Sequence, residues 1–243
     1  MNRFFLIGSA LIGLASALPA VAAPTTFFGE DVNTGGDPTQ VTPTSSTAAR
    51  NLFFTNLVGV GTETFESIAN GSGTPLAIDF GAAGTATING SGNVAAGNDG
   101  NGRYAVSGNQ YYLAGTGDFT IDFSAPIAAL GFYGIDVGDF GGHLTLTLTD
   151  AASNLTTVTV PNTVGSGGST SGSVLYFGFY DTGDTYTSVS FNNDSGGADL
   201  FAFDDFSIGS TTEVVPVPTP EPLSIAVLGA GLLGLGFCRR RRG

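Results

Sequence analysis

The 243-residue chain has no lysine and no tryptophan, and it carries one histidine and one cysteine. Its 7 basic residues are all arginines, set against 20 aspartates and glutamates, for a formal net charge of −13. Each shortage closes a class of function. Without a basic surface nothing meets a phosphate backbone, so nucleic acid is excluded as a partner. One cysteine cannot form an internal disulfide, so stability must come from core packing and any bound metal. With His143 alone and Cys238 near the C-terminus, Ser-His, Cys-His and lysine-based catalysis lack their parts, and a histidine-rich zinc site cannot be assembled. Charged residues make up 11% of the chain and hydrophobic residues 42%. That is too apolar for a disordered polyelectrolyte and too poor in Lys and Glu for a helical bundle.

What is present begins with two ends that read as addresses. Met1-Asn2-Arg3, the apolar run from Phe4 to Leu18 and the small-x-small triplet Ala20-Val21-Ala22 predict a signal peptide over 1–22, removed by signal peptidase before Ala23. At the other end, Pro216, Pro218, Pro220 and Pro222 make 213–222 an extended stalk. The uncharged stretch from Leu223 to Cys238 would rise about 24 Å as a helix, enough to cross a thinned bilayer. Arg239, Arg240, Arg241 and Arg242 follow at once and hold that end in the cytoplasm, so 223–243 is predicted as a transmembrane helix with an Arg-rich tail. Cutting both ends leaves Arg50 and Arg103 as the only strong cations, on a body that invites cations and repels anions.

The middle is glycine-punctuated, with apolar segments at nearly regular spacing. Residues 23–45 are rich in Thr, Pro and Gly and predict an irregular lead-in with one short strand at 25–28. A helix is expected over 46–56, with Ala49, Leu52, Phe53 and Leu57 near one face. Strands are expected at 63–68, 76–80, 85–89, 103–106, 110–113, 118–123, 127–135, 143–149, 155–160, 174–180, 186–191 and 200–208. In His143-Leu-Thr-Leu-Thr-Leu-Thr149 the leucines share one face and the threonines the other, the pattern of an antiparallel strand with one wet side. The expected fold is therefore all-β: a single antiparallel β-sandwich, jelly-roll-like, over 46–212, with one short N-terminal helix. The run 165–172, Gly-Ser-Gly-Gly-Ser-Thr-Ser-Gly, is expected as a mobile loop, and Asn98 to Gly102 as a turn.

Three acidic groups stand out: Glu63 with Glu66, Asp136 with Asp139, and Asp204 with Asp205. Around the last pair, Phe201 and Phe203 share one parity while Phe206 and Ile208 share the other, which predicts a β-bulge at Asp204-Asp205. Tyr176 and Tyr180 share a strand face and form a candidate glycan-stacking platform. The row Thr145-Thr147-Thr149 is the one feature that fits an ice-binding surface. Paired carboxylates are the only catalytic equipment left, and no spacing selects a pair, so the expectation is a non-catalytic protein.

Two resemblances add to this reading. The Pro220-Glu221-Pro222 triplet, a short apolar helix and a terminal Arg cluster, on a chain with a signal peptide, resemble the PEP-CTERM sorting signal of Gram-negative bacteria. That likeness covers only about the last 25 residues, and its C-terminal element also occurs on some ice-binding proteins. It implies recognition of Pro220, Glu221, Pro222 and Arg239 to Arg242 by an exosortase. The precursor would sit transiently in the inner membrane before delivery to the cell surface or the exopolysaccharide matrix of a biofilm. In the body, the Phe-Glu segment at Glu66 and the Phe-Asp-Asp-Phe segment at Asp204 are similar to the first and last strands of jelly-roll modules such as carbohydrate-binding and MAM-like domains. There the two strands run side by side, in several cases beside a Ca²⁺. Carried over, Glu66, Asp204 and Asp205 become candidate Ca²⁺ ligands, since that ion takes six to eight hard oxygens. The function expected is a secreted surface or matrix component that binds glycan or Ca²⁺, with exopolysaccharide as a partner. The alternatives are a carboxylate-dependent hydrolase of the matrix glycan and an ice-binding protein.

Overall fold

The computed structural model describes residues 23–35, 40–194 and 199–215. The expected signal peptide, the Pro-Glu-Pro triplet and the C-terminal helix lie outside them. Among the described residues, no helix is long and apolar enough to cross a membrane.

Among the described residues, eleven strands and one α-helix follow in order: β1 (Thr25–Asp31), α1 (Ser45–Phe54), β2 (Gly61–Glu63), β3 (Leu76–Asp79), β4 (Thr85–Ala96), β5 (Gln110–Ile127), β6 (Ala129–Ile135), β7 (Leu144–Asp150), β8 (Leu155–Thr159), β9 (Val174–Tyr180), β10 (Tyr186–Asn193) and β11 (Ala202–Gly209). Every pairing is antiparallel. One layer runs β1-β9-β6-β11-β2 and the other β8-β7-β10-β5, with the β3-β4 hairpin on the outer side of β5. From β6 onward the chain crosses between layers at almost every step: β6 in the first, β7 and β8 in the second, β9 back, β10 across, β11 back. Two antiparallel layers interleaved in this way make a jelly-roll-like sandwich, as the strand spacing had led us to expect.

The strand β5 joins the layers. Its first half pairs with β11, Tyr112 opposite Phe203, and its second half pairs with β10, Phe119 opposite Phe191. The expected strands at 110–113 and 118–123 are thus one bent strand. Its partner β4 follows the bend through a register shift between Gly90 and Gly92, at φ 112° and 154°. A Cβ on Gly92 would meet the Tyr112 hydroxyl at 2.3 Å, so only glycine fits both the angle and the space.

Between the layers lies an aromatic core in which Phe119, Phe132, Phe191, Phe203 and Phe206 meet edge-on, tilted or stacked, with centroids 4.4 to 6.0 Å apart. Each such ring removes on the order of 150–250 Å² from water, enough to replace the missing cystines. Both Phe203 and Phe206 reach this one core although their parity differs. The predicted bulge makes that so: the β11-β6 register shifts between Asp204 and Ser207, and Asp205 adopts φ 50°.

A second, smaller core forms under α1, on the other face of the first layer. Phe53 lies over Gly131 and Gly178, which face each other across β6 and β9; a Cβ on either would come within 2.9 Å of its ring. The helix is capped by Asp31 at the end of β1, not by a local Ser or Thr. The Asp31 carboxylate accepts the Ser45 and Ser46 N–H groups at 2.8 and 2.9 Å and the Ser46 hydroxyl at 2.7 Å. Burial pushes the Asp31 carboxyl up, but these bonds outweigh it and hold it below its usual range. Leu52, expected on the packed face, points outward.

Candidate functional site

The first acidic group to examine is the one the sequence favours. Strands β2 and β11 do run side by side, Glu63 opposite Phe206. The carboxylates of Glu66, Asp204 and Asp205 all turn to one segment, 106–110. Asp204 Oδ2 accepts the N–H groups of Val106 and Ser107, both at 2.8 Å, and Asp205 Oδ1 accepts the Ser107 hydroxyl at 2.6 Å. Glu66 Oε1 accepts the N–H groups of Asn109 and Gln110 at 2.6 and 2.5 Å. These oxygens therefore clamp a loop. The expected strand at 103–106 does not form: the Arg103 N–H goes to Asp99 Oδ1 and the Val106 N–H to Asp204 Oδ2, and Tyr104 makes only an isolated bridge with Asn98. Burial, with the charge of Asp205 next to it, pushes the Asp204 carboxyl up to about 8, against the pull of the backbone donors.

The tyrosines behave differently from expectation. Tyr176 and Tyr180 do share a face of β9, but α1 covers it. Tyr176 is fully buried against Phe53 and Tyr133, with ring centroids at 5.9 and 5.1 Å, and Tyr180 is half-buried beside Phe27. The pair offers no open stacking platform. The threonine row of β7 lies between β8 and β10 and is half-buried, its middle hydroxyl accepting a hydrogen bond from Asn192.

The cleft of interest lies at one end of the first layer. There β6 ends and β9 and β11 begin, with Val174 and Ala202 on either side of Ile135. Whatever follows Ile135, precedes Val174 or precedes Ala202 must gather at that end. The sequence puts aspartates there: Asp136 and Asp139 after β6, and Asp199 before β11. The loop before β5 adds Asp99 and Arg103. Together with Asn101, Phe140, Gly167, Gly168, Ser171 and Leu200, the cleft-lining residues Arg103, Asp136, Asp139 and Asp199 enclose about 430 Å³.

Asp136, Asp139 and Asp199 are 1%, 3% and 1% exposed. Asp136 holds φ 67°, a left-handed conformation that aspartate tolerates better than most residues. Its N–H donates to the Ser173 carbonyl, its Oδ1 accepts the Gly172 N–H at 2.8 Å, and its Oδ2 lies 3.7 Å from Arg103 Nη1. Arg103 is also bound through Nε to Asp99 Oδ2 at 2.7 Å. The guanidinium thus pairs with two of the four carboxylates, Asp99 and Asp136. Asp139 and Asp199 lie close enough to share a proton. With both ionised, Asp139 Oδ1 and both oxygens of Asp199 have no hydrogen-bond donor in good geometry among the described residues. Burial raises all three carboxyls, Asp136 to about 7, and the charge of Asp139 adds to the rise at Asp199.

The glycine-rich run at 165–172, expected to be mobile, is pinned to this site: the Gly165 N–H donates to the Gly138 carbonyl and the Gly168 N–H to the Asp139 carbonyl. Phe140 stands on the rim, 52% exposed. The sequence marked Asp136 and Asp139 but not Asp199, which lies 60 residues further on and which only the pairing of β6 with β11 brings near.

No family model matches the chain, and no curated protein matches it. Solved structures do. The K2 cleaved adhesin domain of Lys-gingipain aligns at 15% identity and TM-score 0.40, covering 62% of this chain and 99% of that domain. The C-terminal family 22 carbohydrate-binding module of Clostridium thermocellum Xyn10B aligns at 13% and 0.36, covering 63% and 95%. A further likeness is to TmCBM61, determined in complex with β-1,4-galactotriose, at 16% and 0.30, covering 61% and 94%.

Proposed function

We propose that the chain is an exported, non-catalytic binding module that takes a hydroxyl-rich polymer, an extracellular polysaccharide, in the cleft between Arg103 and Phe140. The observation that carries this reading is an exposed aromatic ring beside a polar cleft in which Asp139 Oδ1 and both oxygens of Asp199 have no donor among the described residues. A sugar offers an apolar C–H face for the ring and several O–H donors for the oxygens, which water-exposed loops elsewhere on this surface do not call for. Arg103, Asn101 and Ser171 supply donors for its ring and hydroxyl oxygens. The test is retention on immobilised matrix polysaccharide in affinity electrophoresis. Phe140→Ala should abolish retention while leaving thermal stability unchanged, and equal retention of the variant would refute the cleft as the site.

A second reading, hydrolysis of the same polymer, draws on the raised carboxyls of Asp136, Asp139 and Asp199, since an acid kept protonated near neutral pH is what a glycosidase needs. Release of reducing ends that Asp139→Asn or Asp199→Asn stops would establish it. Delivery to the surface or matrix is proposed to use Pro220, Glu221, Pro222 and the Arg239 to Arg242 cluster as an exosortase signal. Glu221→Ala should leave the tail attached, and normal processing of that variant would remove the assignment.

A further inference from the structure

Burying an ionised carboxylate without a partner costs several kcal/mol, and a protein escapes that cost by protonation or by binding a cation. At the end of the first layer, Arg103 is already engaged by Asp99 and Asp136. Among the described residues, Asp139 Oδ1 and both Asp199 oxygens have no hydrogen-bond partner, in side chains 3% and 1% exposed that line an open cleft. Among the described residues, none of those lining the cleft is a histidine or cysteine. All-oxygen donors disfavour zinc and copper and suit a hard divalent ion with a flexible coordination sphere.

The geometry points to a divalent-cation site, of Ca²⁺ type, held by the carboxylates of Asp139 and Asp199 at the floor of the cleft. Asp136 stands behind them, kept in place by the Gly172 N–H and by Arg103. This site is distinct from Glu66, Asp204 and Asp205, each of which has one carboxylate oxygen engaged by the 106–110 loop. Among the described residues, no three acidic, histidine or cysteine side chains are already gathered for a metal. Two protein carboxylates with water completing the sphere give weak binding, with Kd of about 0.1–1 mM, the range of extracellular Ca²⁺ modules. Such an affinity suits a chain outside the cell and makes the cleft respond to ambient calcium. The site goes beyond glycan binding and does not depend on it.

The test is calorimetric titration of the full chain, freed of metal with EDTA, with CaCl₂ at pH 7.5, alongside thermal unfolding with and without about 10 mM Ca²⁺. The expected result is saturable binding, and a rise in Tm of several degrees. Asp199→Asn should weaken binding about tenfold or more, the loss of one charged ligand from a two-carboxylate site, while Asp205→Asn leaves it unchanged. The metal-free Asp199→Asn protein should also melt above the metal-free wild type, since the substitution removes a buried charge; a residue that merely holds the fold would melt lower. If that variant fails to fold, Asp139→Asn takes its place. Absence of heat and of any Tm shift overturns the proposal and leaves a shared proton as the occupant of the pair. Binding that survives Asp199→Asn, or that Asp205→Asn removes, places the cation elsewhere and overturns it equally. No glycan is present in any arm, so failure of the polysaccharide reading leaves this result intact.

Discussion

Two groups of aspartates in this chain are equally buried and have opposite fates. At the β11 bulge, Asp204 and Asp205 face a loop whose N–H and O–H groups converge on them. At the end of the first layer, Asp139 and Asp199 face each other and a cleft. The residue type is the same, so the difference lies in what the backbone brings opposite: a loop with donors to spare in one case, a second carboxylate in the other. The first arrangement ties the structure together, and the second holds chemical potential open to something from outside.

The sharpest way to break the comparison is to delete one carboxylate from each side. Asp204→Ala strips the acceptor from Val106, Ser107 and Asp205 N–H groups in a fully buried position. It should cost about 3 kcal/mol in chemical denaturation, the sum of several orphaned donors. Asp199→Asn should act in the opposite direction, raising metal-free stability by about 1 kcal/mol through relief of an uncompensated charge.

Acidity provides a gentler probe of the same contrast. Asp136 titrates at about 7 in the folded chain against 3.8 unfolded. The native state therefore binds more protons across that window, so stability is highest below pH 3.8 as far as this group is concerned, and declines as pH rises through about 7. The raised carboxyl of Asp204 works with the same sign up to about 8. The Tm of the metal-free protein should accordingly be higher at pH 5 than at pH 8, and Asp136→Asn should lessen the difference. The smallest effect on stability belongs to Phe140→Ala. The ring is half in water, so denaturation should move by less than about 0.5 kcal/mol even though polysaccharide retention is lost.

Much of the frame was legible beforehand because strand periodicity reports which residues share a face. The range 174–180 is matched by β9 residue for residue, the leucines of β7 are buried, and the parity break at Asp204-Asp205 does mark a bulge. Periodicity does not report what covers a face. Tyr176 and Tyr180 were correctly placed together, yet a helix seated on two glycines closes over them. Nor does it report which loops meet. Asp139 and Asp199 become neighbours only through the antiparallel pairing of β6 with β11, and no local spacing encodes that. Glu66, Asp204 and Asp205 turn to one backbone segment, 106–110, most of which lies between two of the expected strands, and nothing in the local pattern marks it as their partner.

The cap on α1 carries a consequence for how the molecule opens. A ten-residue helix is marginal alone, and here its first turn is fastened by Asp31, which stays in place only while β1 is zipped to β9. Edge strand and helix must then come away together, as one cooperative unit separate from the central aromatic core. A pull on the N-terminal end of β1 would peel this unit first, laying bare Tyr133 and Tyr176 and, through Asn33, loosening Ser171 and Ser173 beside the cleft.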